Sequence, residues 1–90
     1  MAVMVDRRNG RVTLDAVNDK AAGPFVPAFY RLVGVVEEGS CQLENLTGKI
    51  LFKGNAGVGG SDMTPNVGRR SVDGFKLAAI TSGRVEVLLW

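Results

Sequence analysis

The chain of 90 residues has no histidine, a single cysteine, one tryptophan, one tyrosine and three prolines. Without histidine it lacks the side chain that most often moves protons near neutral pH. It also lacks the usual nitrogen ligand of zinc, and one cysteine with scattered carboxylates does not make a zinc site. Cys41 has no partner for an intramolecular disulfide. A lone thiol suits a reducing compartment, so the sequon Asn45-Leu46-Thr47 is expected to carry no glycan. No window reaches the apolar length of a membrane-spanning helix. The opening MAVMVDRRNG has no apolar core of signal-peptide length, and its basic residues follow the apolar ones. The expected location is therefore a virion or the host cytoplasm. Neither sign of charge dominates: 11 basic against 9 acidic residues leave +2, far from the concentrated charge of most nucleic-acid binders.

What is present is apolar and rich in turns. The composition is 46% hydrophobic and 22% charged, a globular balance for one domain spanning 1–90. A chain this short buries a modest share of its surface. With a disulfide and a metal both improbable, added support is expected from oligomerisation or from docking into a larger body. The 12 glycines are spread along the chain, as turn punctuation in an all-β fold.

Asn9-Gly10 is a strong hairpin signal, because a type I′ turn needs positive φ at both central positions. A two-residue loop there sets Val5 opposite Leu14, Val3 opposite Ala16, and Arg8 opposite Arg11. Residues 18–27, with Gly23, Pro24 and Pro27, read as a loop. Residues 28–36 read as a central strand covered on both faces, with Gly34 marking a bulge or bend. Cys41 and Leu43, then Ile50 and Phe52, read as the inward positions of a second hairpin.

Residues 54–74, GNAGVGGSDMTPNVGRRSVDG, read as one long glycine-rich loop and as an interaction arm. The final segment reads as a hairpin about Ser82-Gly83, pairing Phe75 with Trp90 and Leu77 with Leu88; a helix over 72–81 is the alternative. Both faces of that hairpin are apolar, and one small interior accommodates only one of them. The fold class expected is all-β: a small antiparallel sandwich or barrel of six to seven short strands with a long loop at 54–74.

No catalytic constellation emerges. The glycine run 54–60 invites a phosphate-loop reading, but Gly60 leads into Ser61-Asp62 and the lysine, Lys53, precedes the run; a flexible loop is the better reading. Asp62 and Asp73 lie on that loop without a defined geometry. Cys41 has no histidine to activate it and reads as a small buried hydrophobe. No enzyme and no cofactor are expected. The residues expected to meet a partner are Arg69, Arg70, Leu88, Leu89 and Trp90. The leading expectation is a structural assembly protein, specifically a small phage virion component such as a capsid decoration, head-completion, tail or fibre-attachment subunit. Its partners are other protein subunits, in a homo-oligomer or a larger assembly. The alternatives are an OB-like nucleic-acid module using Arg7, Arg8, Arg11, Arg69 and Arg70, and a small inhibitor that masks a partner's surface.

Overall fold

A computed structural model describes residues 3–66, 68 and 70–90. Among these residues the chain forms nine strands and no helix: β1 (Met4–Asp6), β2 (Arg11–Leu14), β3 (Lys20–Phe25), β4 (Pro27–Val33), β5 (Gly39–Glu44), β6 (Ile50–Ala56), β7 (Asp62–Pro65), β8 (Val72–Ile80) and β9 (Arg84–Leu89). They make two antiparallel sheets, in the orders β1-β2-β9-β4-β7 and β3-β8-β5-β6. The fold is thus the small all-β sandwich that the turn spacing and alternation point to. The count exceeds six or seven because two segments read as loops are strands.

The first of these is β3. Its two glycine- and proline-bearing residues, Gly23 and Pro24, are tolerated because β3 lies at the edge of its sheet and its register with β8 shifts between Ala22 and Phe25. The second is β7, which lies inside 54–74. Asp62–Pro65 pairs with β4 along Phe29↔Pro65 to Leu32↔Asp62. Together with β6 running to Ala56 and β8 starting at Val72, this leaves only short connections in what reads as a long arm.

The final hairpin is not formed. β8 pairs with β3 and β5, whereas β9 pairs with β2 and β4 in the opposite sheet. Phe75 therefore does not pair with Trp90, nor Leu77 with Leu88, and 72–80 is strand rather than helix. The Thr81-Ser82-Gly83 link carries the chain across the sandwich. Gly83 has φ +81°, and a side chain there would run into the Val33 carbonyl. Phe75 and Leu77 then face Val85 and Val87 through the interior, all four fully buried.

The first hairpin forms with a shifted register. Met4 lies opposite Thr13, Val5 opposite Val12 and Asp6 opposite Arg11, so the loop is Arg7–Gly10 rather than Asn9-Gly10 alone. The cause is Asp6: its carboxylate accepts from the Asn9 backbone N–H at 3.1 Å and from Asn9 Nδ2 at 2.8 Å, closing a wider turn. The shift also exchanges an Arg8–Arg11 opposition for an Asp6–Arg11 one. The hairpin β5–β6 forms as expected, with Cys41, Leu43 and Phe52 buried. Ile50 does not turn inward: Leu43 pairs with Phe52 and Glu44 with Ile50, and the extra residue, Leu51, bulges and rotates Ile50 to the surface. β4 is covered on one face only. Ala28, Tyr30 and Leu32 are buried, while Phe29 is exposed, and Gly34 (φ +70°) ends the strand rather than bulging it.

The core lies between the sheets. Phe25 stacks on Phe75 at 5.0 Å, Tyr30 stacks on Phe52 at 6.0 Å, and Tyr30 meets Phe75 edge-on at 6.4 Å.

Candidate functional site

Three surfaces concentrate the side chains that chemistry or association would use. The first is the outer face of the five-stranded sheet. The pairing registers align two rows across it: Asp6, Arg11, Leu88, Phe29 and Pro65, and Met4, Thr13, Glu86, Arg31 and Met63. β9 is the middle strand, so Leu88 and Glu86 sit at the centre. Glu86 is buried although it points away from the core. Arg31 Nε donates to Oε1 at 2.7 Å and Arg31 Nη2 donates to the same oxygen, while Arg84 Nε donates to Oε2 at 3.1 Å. Burial pushes the Glu86 carboxyl upward, but the hydrogen bonds from Arg31 and then Arg84 outweigh it and hold the group below its ordinary range. Around this neutralised centre Met4 and Met63 are more than half exposed and Leu88 is half-buried.

The other two surfaces are the ends of the sandwich. The antiparallel strands gather the loops 7–10 and 45–49 and the described residues 66, 68, 70 and 71 at one end, with Val26 and Trp90. Backbone bonds from Trp90 N to Val26 O and from Leu89 N to Gly10 O tie this end together. Its loops carry Arg7, Arg8, Lys49 and Arg70 and, among the described residues, no acidic side chain. The loops 15–19, 34–38, 57–61 and 81–83 form the other end. They carry Asp15, Asp19, Glu37 and Glu38 and no basic side chain.

At the basic end a cleft of about 310 Å³ opens between the sheets. Tyr30, Asn45, Lys49, Asn66, Arg70 and Asp73 are among the residues that line it. Desolvation lifts the Tyr30 phenol to about 12. The turn residues are fixed locally. Asn45 Oδ1 accepts from Lys49 N at 2.8 Å and Thr47 N at 3.0 Å, and Asn66 Nδ2 donates to Pro27 O at 2.7 Å and Arg70 O at 3.1 Å.

The residues expected to meet a partner are distributed over these surfaces. Leu88 lies on the outer sheet face. Leu89 turns inward and packs against the core. Trp90 is exposed at the basic end. Arg70 lines the cleft, and Arg69 lies outside the described residues. Of the other arginines, Arg7 covers the Phe25 ring at 4.5 Å and Arg11 lies on the sheet face, away from Arg70. Asp62 and Asp73 do not form a pair. Asp62 Oδ2 accepts from Asn55 N at 3.0 Å, and Asp73 Oδ1 accepts from Leu46 N at 3.1 Å, at opposite ends of the sandwich. Sequence reasoning missed Glu86 with its two arginines, and the meeting of Tyr30 with Lys49. The alternation of Arg84-Val85-Glu86-Val87 hinted at the first. Nothing local signals the second, since residues 30, 49 and 70 converge only through the topology.

No family model matches the chain, and no curated protein or solved structure is significantly similar to it.

Proposed function

We propose that the protein is a non-enzymatic assembly subunit that associates with a second copy of itself through the outer face of its five-stranded sheet. The observation that carries this reading is the apolar set Met4, Phe29, Met63 and Leu88 on one sheet face, around a Glu86 already neutralised by Arg31 and Arg84. Sheet faces of this character are normally covered. The face is also self-complementary. A two-fold axis along β9, the third of the five strands, brings Leu88 onto its own copy, Met4 opposite Met63, and Arg11 over Phe29. Arginine over a phenyl ring is itself attractive. The narrower setting of a phage virion subunit rests on the size, the β-rich composition and the absence of a catalytic motif in the sequence.

Sedimentation across concentration tests the reading. The wild-type chain is expected to pass from monomer to dimer. Leu88→Glu should stay folded and monomeric, whereas Leu89→Glu, which buries a charge against the core, should unfold. A wild-type chain that remains monomeric at all concentrations, or a Leu88→Glu variant that dimerises normally, overturns it.

The gathering of Arg7, Arg8, Lys49 and Arg70 on one end supports a second reading, an oligonucleotide-binding module. Affinity that falls steeply with salt would favour it, because phosphate contacts release counterions whereas an apolar interface does not.

A further inference from the structure

We propose that the cleft at the basic end is a binding site for a small oxyanion, a phosphate or carboxylate carried on a compact molecule. Tyr30 is the first reason. It is 3% exposed, with its ring fixed between Phe52 and Phe75. Phenylalanine would pack in the same place, so the hydroxyl is the part that packing does not explain. That hydroxyl has no hydrogen-bond partner among the described residues. No sealed side-chain nitrogen or oxygen among them lacks a partner, so the hydroxyl is not enclosed in the core and reaches the cleft that Tyr30 lines. Buried phenols ordinarily find a partner for the O–H.

The walls supply the second reason. Lys49 and Arg70 line the cleft, and neither forms an ion pair among the described residues. The amide oxygen of Asn45 is taken by its own turn, which leaves its nitrogen as the unused group. Ser71 adds a hydroxyl. Asn66, whose nitrogen is committed to Pro27 O and Arg70 O, leaves an oxygen, but most groups available to a ligand are donors, two of them cationic, and donors of this kind recognise oxyanions. Arg70 brings a planar fork suited to two oxygens at once. The one acid, Asp73, has an oxygen committed to Leu46 N–H. Its other oxygen would accept from a hydroxyl on the ligand, so an oxyanion attached to a hydroxylated body fits better than a bare one. A volume of about 310 Å³ lies at the small end of ligand pockets and suits one ring with its anionic group. The cation-only loops around the mouth raise the local concentration of anions.

Amide chemical shifts of the full chain, titrated with inorganic phosphate, acetate, ribose 5-phosphate and neutral ribose, test the site. Saturable shifts around Tyr30, Lys49 and Ser71 are expected with the anions and not with ribose. Ribose 5-phosphate against phosphate reads the contribution of Asp73, and acetate against phosphate separates the two anion classes. Arg70→Gln should weaken binding about tenfold and Tyr30→Phe, which keeps the ring, about threefold. Arg8→Gln, on the same end but outside the cleft, should weaken binding far less than Arg70→Gln, by less than about twofold at physiological salt. Linear, unsaturable shifts up to the order of tens of millimolar anion overturn the proposal. So does equal weakening by Arg8→Gln and Arg70→Gln, which would mean a diffuse field rather than a site. A single-stranded oligonucleotide that binds more tightly than ribose 5-phosphate, with shifts running on to Arg7 and Arg8, would also overturn it by making the cleft part of a nucleic-acid surface.

Discussion

Glu86 illustrates how one side chain can be buried and still face outward. Its carboxylate lies under two guanidinium groups rather than under the core, and their hydrogen bonds keep it ionised. A carboxyl held below its ordinary pKa of 4.5 contributes stability that is fully present above that value and is lost as pH falls through the lower, folded-state value. Glu86→Gln removes this contribution: its amide oxygen still accepts from one arginine, while its NH2 group faces the other in place of an acceptor. It should lower stability at pH 7 by about 1–2 kcal/mol, discounted because both arginines are partly exposed. The difference between wild type and variant should shrink below pH 4, and thermal melts across pH check it. Cys41 makes the complementary case. Burial pushes its thiol upward, with a smaller opposing effect from the Gly54 backbone. Alkylation by a neutral reagent at pH 7 should therefore be slow in the folded chain and rapid in denaturant, followed by mass spectrometry. Fast labelling of the native protein would mean that β5 and β6 separate readily.

At the scale of the strand, protection should follow position in the sheet. β9 is bonded on both sides by β2 and β4, while β7 is a four-residue strand on an edge. Hydrogen exchange is expected to be slowest in Val85–Val87 and markedly faster in Met63–Thr64. Equal rates would mean that the edge strand opens only with the whole sandwich. The same contrast explains what the sequence made legible. Period-two alternation marks β2, β5 and β6, because one face of each meets the core and the other meets water. β9 escapes the pattern: Val85 and Val87 face the core, and Glu86 between them is covered from outside. Three consecutive hidden positions, Val85 to Val87, blur the alternation, and the pairing Phe75–Trp90 follows wrongly from taking Ser82-Gly83 as a two-residue hairpin loop. β3 and β7 were illegible for the opposite reason, since edge strands tolerate the glycine and proline that signal loops elsewhere. The partner of a strand is set by the topology of the whole, so Leu88 and Leu89 were recognisable as a pair facing opposite ways, but not which of them met the core. Gly83→Ala tests the crossing that decides this. A side chain there meets the Val33 carbonyl, and destabilisation of about 1–3 kcal/mol is expected in denaturant titrations.

Across the whole molecule the loop charges separate by end, although the net charge is only +2. This predicts behaviour that net charge alone does not. Arg7→Gln with Arg8→Gln removes two positive charges, as does Lys20→Gln with Lys53→Gln. The first pair should elute much earlier from a cation exchanger, because the basic end makes the contact. Identical elution would mean that the resin responds to the sum and not to the distribution. Segregation of this kind also gives the molecule a permanent electric dipole along its strands. Near any charged body it experiences a torque before it experiences contact, and the basic loops turn toward negative charge while the sandwich is still about a Debye length away, roughly 8 Å in physiological salt. Orientation is thereby biased during approach. The rotational search that limits most protein encounters is shortened for a negatively charged partner, and lengthened for one that must be met by the other end.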